Sequence, residues 1–318
     1  MAKEFNDTPI YSPEQKENRS IRLKITEKCP WECKFCHEEG GWGIDDVKWE
    51  DEFVEKISNL KDALNIKEVH LTGGEPTASN YIQDLSAGLS SLGLDVKLTT
   101  NGQFGEKILR GLVDSGVKEF NFSIHALNPE DFIKTQKKND LSWASNNIEN
   151  QKKIIAKAQE LGAKIKLNVL ISTEDDIAKA LEVFEFAKAN NIPLRFLNDL
   201  YNGQISIEAI EKMTKEILNG KKFRESVAKA SSSKSSYYRD DDDYEFGVKE
   251  IREYKLETLC SDCKEECVEQ FYGIRLEQRD GKFYVRLCID RKDGKSLMTV
   301  EEFLDSDYLK EINKLLNE

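Results

Sequence analysis

Three cysteines near the start of the chain carry the most specific chemistry in the sequence. Cys29, Cys33 and Cys36 are separated by three and by two residues, so three thiolates lie on one short loop. Thiolates are the usual ligands of iron–sulfur clusters, and clusters that only transfer electrons normally have four of them. The spacing therefore indicates a [4Fe–4S] cluster that is ligated at three irons and keeps its fourth iron open.

The other four of the seven cysteines, Cys260, Cys263, Cys267 and Cys288, form a second group far along the chain. Four thiolates could ligate a complete second [4Fe–4S] cluster, and a structural zinc site is the alternative that remains open. Disulfides are disfavoured because the cysteine count is odd and no apolar signal segment is visible. We therefore expect a reduced, cytoplasmic protein.

Composition limits the possible partners. The chain has 318 residues and a formal net charge of −12, so its surface as a whole would repel nucleic acid and anionic lipid. No apolar run approaches the length of a bilayer span. We expect no nucleic-acid partner and no membrane insertion, and an anionic ligand would need a local basic pocket.

The elements that must position these cysteines alternate between strand and helix. Strand patterns cover 22–26, 68–72, 96–100, 119–124, 164–171 and 194–200, and helical patterns lie near 48–63, 78–92, 106–115, 147–161 and 175–190. Such a repeat predicts an α/β fold with a parallel sheet, either doubly wound or a full or partial barrel. In both architectures, chemistry takes place at the C-terminal ends of the strands.

The polar motifs of the chain follow these strand ends. Gly73, Gly74, Glu75 and Pro76 follow the second strand, Thr100 and Asn101 end the third, and Ser123 and His125 end the fourth. His125 is a candidate for proton transfer because an ordinary histidine titrates near neutrality. A lone histidine at this position is more often structural.

The composition changes after about residue 218. Residues 219–250 are rich in Ser and Lys and include four consecutive aspartates at 240–243, which predicts a polar linker or mobile loop. Residues 251–318 contain the second cysteine group, a hairpin around Asp280 and Gly281, and a closing helix from about 300. We therefore divide the chain into 1–218, 219–250 and 251–318.

Taken together, the cysteine triplet, Phe35 before its third member and Gly73-Gly74-Glu75-Pro76 after the second strand resemble the radical S-adenosylmethionine (SAM) superfamily. Residues 20–200 are similar to its GTP 3′,8-cyclase branch, and residues 251–318 resemble the auxiliary-cluster extension called a twitch subdomain. The resemblance implies a partial (β/α)6 TIM barrel with a small C-terminal α+β iron–sulfur subdomain. It also implies SAM on the open iron and a second, auxiliary [4Fe–4S] cluster.

The resemblance further implies roles for individual residues. SAM would be held by Gly73, Gly74, Glu75 and Ser123, with Phe35 and Leu200 beside the adenine, and we place Pro76, Thr100 and Asn101 in the same site. The substrate would be bound by Arg22, His70, Lys166, Arg195 and Arg275. His70 and Gly273 stand where the cyclase pattern has basic residues, which argues against a triphosphate in the same pose.

The implied function is reductive cleavage of SAM to a 5′-deoxyadenosyl radical, which abstracts hydrogen from a small polar metabolite in a biosynthetic step. We expect an anionic substrate of nucleoside, nucleotide or sugar type, and an external electron donor of the flavodoxin or ferredoxin type. Two alternatives stay open. One is a peptide-modifying twitch enzyme, and the other is a non-catalytic iron–sulfur electron-transfer protein.

Overall fold

Six parallel strands in sequence order form the centre of the sheet. The computed structural model describes residues 13–37, 43–291 and 293–318. After a short β1 (Glu14–Lys16), the central strands are β2 (Ser20–Lys24), β3 (Glu68–Thr72), β4 (Asp95–Thr100), β5 (Val117–Ser123), β6 (Lys164–Ile171) and β7 (Leu194–Asn198). Neighbours in this series pair in parallel, from β2 with β3 to β6 with β7.

Helices connect the consecutive strands, as parallel pairing requires. They are α1 (Asp51–Leu64), α2 (Ile82–Ser91), α3 (Glu106–Asp114), α4 (Pro129–Lys134), α5 (Leu141–Glu160) and α6 (Ile177–Ala189). The predicted α/β fold with a partial barrel is confirmed, although α5 begins six residues earlier than its pattern indicated and α4 was not predicted. The side chains of Asn128 and Asp140 accept hydrogen bonds from backbone N–H groups at the starts of α4 and α5.

Side chains on the central strands alternate between two environments. In β2, Ile21 and Leu23 are fully buried in the apolar core that includes residues of α1, whereas Arg22 and Lys24 belong to the opposite face. Strands of a parallel sheet usually carry apolar residues on both faces. The polar inner face of this barrel therefore reflects something other than packing, and it forms the wall of the site described below.

The prediction of a structure-poor linker over 219–250 is wrong. After α7 (Gly203–Glu211) and a π-helical turn (Lys212–Ile217), the segment forms β8 (Lys221–Ala228), β9 (Ser233–Arg239) and β10 (Glu245–Ile251). β10 pairs in parallel with β7, while β9 lies antiparallel to both β10 and β8. The polar composition did not indicate strands, because polar side chains are usually exposed to solvent. Here some of them are hydrogen-bonded within the fold, as the Ser231 hydroxyl is when it donates to the Tyr272 carbonyl.

The aspartate run forms the turn between β9 and β10, and its first member is part of the fold. Asp240 is buried and accepts hydrogen bonds from the backbone N–H groups of Asp242 and Tyr244. Its carboxylate also forms an ion pair with Lys188, at 2.6 Å. Asp240 is thus bonded within the fold, whereas Asp241, Asp242 and Asp243 are exposed.

The C-terminal segment extends the opposite edge of the same sheet. Its elements are α8 (Glu257–Cys260), β11 (Ile274–Arg279), β12 (Lys282–Arg286), β13 (Leu297–Thr299), α9 (Val300–Leu304) and α10 (Asp307–Asn317). β11 pairs in parallel with β2, and the hairpin predicted at Asp280 and Gly281 is confirmed, with positive φ at both residues. The sheet therefore has thirteen strands in the described residues. Within them, no helix combines the length and apolarity needed to cross a membrane.

Replacing Phe246 tests whether β10 is part of the core. Its ring is 2% exposed and lies 5.4–5.9 Å, between centroids, from those of Phe184, Phe196 and Tyr238. Phe246→Ala should lower the free energy of unfolding by about 3–5 kcal/mol in urea titrations, because it leaves a cavity among aromatic rings. Ile217→Ala, at a side chain that is 47% exposed, is the matched control and should cost less than about 0.5 kcal/mol. Equal, small effects would show that β10 contributes little to stability.

Candidate active site

The cysteine loop leaves the C-terminal end of β2 and is fixed to the helices beyond β5. The Lys34 N–H donates to the Thr135 carbonyl at 2.9 Å. Trp31 lies in a small buried apolar cluster, and its indole N–H donates to the Asn147 side-chain oxygen at 2.7 Å. The loop is therefore held in place by its own backbone and by one anchoring ring.

The three thiols of this loop lie close enough to influence one another's protonation. Burial raises the pKa of Cys29 to about 11 and that of Cys33 to about 12, and Cys36 adds to both shifts. Amide groups of Asn101 and Gln136 donate to the sulfurs of Cys29 and Cys33, at 3.8 and 3.3 Å. Bonding to iron would offset the cost of these buried thiolates, so the donor set fits an iron–sulfur cluster.

The glycine turn after β3 packs directly on the cysteine loop. Gly73 has φ +146°, and the Gly74 N–H donates to the Thr26 carbonyl at 2.8 Å. A Cβ atom on Gly74 would lie 2.5 Å from the carbonyl oxygens of both Glu27 and Lys28. These glycines are therefore required by the approach of two backbone segments, quite apart from any contact with SAM.

Glu75 is a buried connection between β3 and β4. Its side chain is 2% exposed and accepts hydrogen bonds from the Thr77 N–H and hydroxyl, the Thr100 hydroxyl and the Asn101 N–H, at 2.6–3.1 Å. Burial raises the pKa of Glu75, and the hydrogen bonds oppose that shift. Because Asn101 also reaches the Cys29 sulfur, Glu75 positions a neighbour of the cysteine loop.

His125, beyond β5, packs on the cysteine loop and is held in its neutral form. Its ring makes an edge-to-face contact with Phe35, with centroids 4.8 Å apart. Burial, with a smaller contribution from Lys179, lowers the pKa of His125 to about 3. The Leu170 N–H donates to Nδ1 at 3.4 Å, so the ring proton is on Nε2. Near neutral pH, the ring can donate from Nε2 but is a poor base.

These groups surround one cavity of about 420 Å³ at the C-terminal ends of the central strands. It is lined by the first three cysteines together with Arg22, Phe35, Gly73, Gly74, Glu75, Thr100, Asn101, Ser123, His125 and Leu200, all singled out from the sequence. Pro76 is buried outside the lining, where it begins a short 3-10 helix. The cavity brings the cysteine loop and the glycine turn together, while the roles of individual residues stay predictions.

Four of the five basic residues assigned to substrate lie outside this lining. His70 and Lys166 contact Glu68 and Glu119, at 3.4 and 3.2 Å. The Arg195 side chain donates to Asn168 at 3.1 Å. They occupy the inner face of the barrel, and acidic or amide neighbours already bind them.

Arg275 is the clearest departure from the expected substrate contacts. It is 1% exposed and forms a buried ion pair with Glu269. Removing one partner of such a pair leaves an uncompensated buried charge. The structure thus places Arg275 in the framework of the C-terminal segment rather than at the cavity surface.

Sequence reasoning missed several residues that line the cavity, including Lys24, Asn168 and Lys249. Two of them could have been predicted from the alternation of side chains along a strand. Lys24 shares the inward face of β2 with Arg22, and Asn168 shares that of β6 with Lys166. Lys249 belongs to β10, which the sequence did not predict. Its discovery required the structure.

The second cysteine group begins with Cys260, the last residue of α8, and ends with Cys288, just beyond β12. Burial raises the pKa of Cys267 to about 11, and Cys288 and Cys260 contribute further. Cys288 is buried, and its sulfur accepts a hydrogen bond from the Asp290 N–H at 3.3 Å. Among the described residues, no three His, Cys, Asp or Glu side chains converge as they would around a single ion. Cysteines of a cubane cluster bind different corners and are spaced more widely.

Comparison with known proteins defines the class. The model of the radical SAM superfamily matches residues 23–193, more than half of the chain. The chain belongs to this superfamily and is an enzyme, as predicted. Membership implies a [4Fe–4S] cluster and SAM, which agrees with the donor set of the cysteine loop.

Curated relatives are similar over almost the whole chain. The GTP 3′,8-cyclase of Campylobacter fetus is 26% identical over 306 residues, which cover 94% of this chain and 87% of the relative. The enzyme of the same name from Aquifex aeolicus is 29% identical over 295 residues, with 89% and 87% covered.

Two solved structures show the same fold. Native anSMEcpe with bound AdoMet has a TM-score of 0.56 at 14% identity, and the match covers 94% of this chain and 84% of that one. Streptococcus suis SuiB bound to S-adenosylmethionine has a TM-score of 0.55 at 13% identity, with 95% and 65% covered. At these identities the likeness concerns the fold alone.

Gly74→Ala should disturb the cysteine loop itself. The added Cβ would meet the carbonyl oxygens of Glu27 and Lys28 at 2.5 Å, so the loop must move. We expect a loss of iron from the first site, measured as iron per protein after anaerobic reconstitution, together with reduced SAM cleavage. This differs from a pure loss of SAM contact, which would leave the iron content unchanged.

The matched control is Gly105→Ala, at a glycine with nothing within 4 Å of an added Cβ. It should retain both the iron content and the SAM cleavage of the unmodified protein. Full iron content and full cleavage in Gly74→Ala would show that the two segments separate without consequence.

His125 should make stability depend on pH. Its pKa is about 3 when folded and near 6.5 when unfolded, so between these values the unfolded chain binds more protons. Stability should therefore fall as pH decreases from about 6.5, by up to about 1.4 kcal/mol per pH unit. Urea titrations of the metal-free protein should show a shallower pH dependence for His125→Asn. Parallel pH profiles would mean that the imidazole is not held neutral.

Proposed function

We propose that this protein reductively cleaves SAM and uses the 5′-deoxyadenosyl radical to abstract hydrogen from a small, anionic metabolite of nucleoside, nucleotide or sugar type in a biosynthetic step. The observation that carries the proposal is the single cavity that joins the three-cysteine loop, the glycine turn and a basic inner barrel face. Cys29, Cys33 and Cys36 would hold the cluster, which would supply one open iron for SAM and the electron needed for cleavage of the sulfonium.

The chain's own residues would orient SAM and exclude water around it. Gly73 and Gly74 line the cavity beside the cysteine loop, where their backbone groups would face SAM. Phe35 packs against His125, so its ring is already fixed where the adenine is expected. A fixed apolar ring lowers the ordering cost of binding.

The relatives' substrate, named by their activity on GTP, supports a nucleotide-like ligand. Two features argue for a different binding pose. Burial lowers the pKa of His70, and the neighbouring cations Arg22 and Lys97 lower it further. His70 is therefore a poor substitute for the basic residue that the cyclase pattern has at this position. Gly273, at the other position where the cyclase pattern has a basic residue, has no side chain. We therefore assign an anionic metabolite of this general class rather than GTP itself.

The four cysteines of the second group would hold an auxiliary [4Fe–4S] cluster with every iron ligated. Such a cluster can accept or donate an electron, but it offers no open iron to a substrate. The reaction at the first cluster also requires an external reductant, for which a flavodoxin or ferredoxin is the expected type. Both assignments follow from the ligand count and the electron balance.

The test is anaerobic reconstitution followed by reduction in the presence of SAM. The unmodified protein should hold about eight irons and form 5′-deoxyadenosine, measured by mass spectrometry. The triple variant Cys29→Ala, Cys33→Ala and Cys36→Ala should lose about half of the iron and all of the cleavage.

The matched control replaces Cys260 and Cys263 with Ala, which should lower the iron content while SAM cleavage at the first cluster persists. The proposal fails if the reduced, fully reconstituted protein yields no 5′-deoxyadenosine. Cleavage that survives in the triple variant would equally exclude the first cysteine group as its source.

A further inference from the structure

The two ends of the parallel part of the sheet meet inside the barrel at Lys249 and Tyr272. Lys249 is on β10, beyond β7, and Tyr272 lies just before β11, which pairs with β2. The Lys249 ammonium group donates a hydrogen bond to the Tyr272 hydroxyl and lies 4.7 Å from the ring centroid. The Ser232 N–H also donates to the Phe271 carbonyl, at 2.7 Å. We call this junction of the two ends, around Lys249 and Tyr272, the seam.

Other cations surround the Tyr272 ring. The guanidinium carbons of Arg22 and Arg275 lie 5.8 and 5.9 Å from its centroid. Burial alone would raise the pKa of Tyr272, but Lys249, Arg22 and Arg195 outweigh it and lower the pKa to about 8. The seam is thus a region of positive potential inside a protein of net charge −12.

Two of these cations are bonded to neutral groups. Lys249 donates to the Tyr272 hydroxyl, and Arg195 donates to the Asn168 amide oxygen. In the described ranges, neither takes part in a salt bridge, whereas Lys166 and Arg275 are paired with carboxylates. Burial lowers the pKa of both Lys249 and Arg195, and neighbouring cations add to this shift, while Tyr272 opposes it at both residues and Glu119 opposes it at Arg195. An anion would relieve this repulsion.

The seam also opens into the candidate active site. Lys249, Arg22 and Asn168 line the same 420 Å³ cavity as the cysteine loop and the glycine turn. Opposite Arg195, β10 has Gly247, and a Cβ there would lie 3.7 Å from the arginine side chain. The region around Arg195 is therefore not filled by a larger β10 side chain.

We propose that Lys249 is a substrate-contacting residue that binds a phosphate group of the substrate, and that Tyr272 positions its ammonium group for this contact. The inference rests on the proposed function, since it concerns the substrate of the same cavity. A phosphate matches the site because several cations converge there and each charge-assisted hydrogen bond contributes about 1.5–3 kcal/mol. Lys249 thus supplies, from β10, a positive charge that His70 and Gly273 do not provide.

The experiment measures binding to the anaerobic, SAM-loaded holoenzyme by calorimetry, with GTP and inorganic triphosphate as probes. Lys249→Met keeps the length of the side chain but removes its charge, and should weaken the binding of both probes at least tenfold. Lys249→Arg should recover part of the affinity. Tyr272→Phe keeps the ring but removes the acceptor, and should weaken binding severalfold.

Lys234→Met is the matched control. Lys234 lies on the neighbouring strand β9, where it pairs with Glu225 and Glu250 at 3.5 and 3.4 Å, and its register places it on the opposite face from Lys249. The Lys234→Met variant should bind both probes with the affinity of the unmodified protein. SAM affinity and iron content should be unchanged in all four variants.

Three outcomes would overturn the inference: neither probe binds the unmodified protein, Lys249→Met binds both as tightly, or SAM affinity falls in parallel with phosphate affinity. The last result would indicate a structural role. Formation of 5′-deoxyadenosine in the absence of substrate is measured as well, because it tests the proposed function independently of this inference. Cleavage without Lys249-dependent phosphate binding would refute only the subsite, and the reverse result would refute only the radical chemistry.

Discussion

The buried carboxylate of Glu75 joins the parts of the site that have to act together. Its four hydrogen bonds connect the turn after β3 with the end of β4, and Asn101 continues the connection to Cys29. A buried carboxylate is costly unless its oxygens are satisfied, so these partners cannot separate independently. The same turn is packed against the cysteine loop through Gly73 and Gly74. The geometry of the cluster loop thus depends on a carboxylate that need not touch the reacting molecules.

A second constraint comes from the polar inner face of the barrel. The outer faces of the strands are apolar and pack on the helices, and this packing stabilises the fold. The inner face carries lysines, arginines and carboxylates, several of them paired. Burying so many charges contributes little net stability. Their arrangement is therefore one of the reasons for proposing an anionic substrate.

Much of the fold could be predicted from the sequence because its strands alternate with helices at regular intervals. The strands 68–72 and 164–171 match the observed β3 and β6, and the Asp280-Gly281 turn was identified by its dipeptide. The segment 219–250 was missed because its strands are polar and gain stability from pairing with one another and, through β10, with β7, contacts that local sequence does not encode. For the site, spacing identified the cysteines and the glycine turn. It could not show that Arg275 is buried with Glu269, since this depends on long-range packing.

The pairing of β2 with β11 has a consequence for how the protein is made. Ile21 and Ile274 are register partners in adjacent strands although most of the chain separates them. Contacts of such sequence separation form late, because a long loop must close first. During synthesis, β2 can pair with β3 early, but its other edge stays open until the ribosome has released β11. Until then the cysteine loop is attached to a strand with one unpaired edge, so its final geometry is reached only after a segment made much later has been added to the sheet.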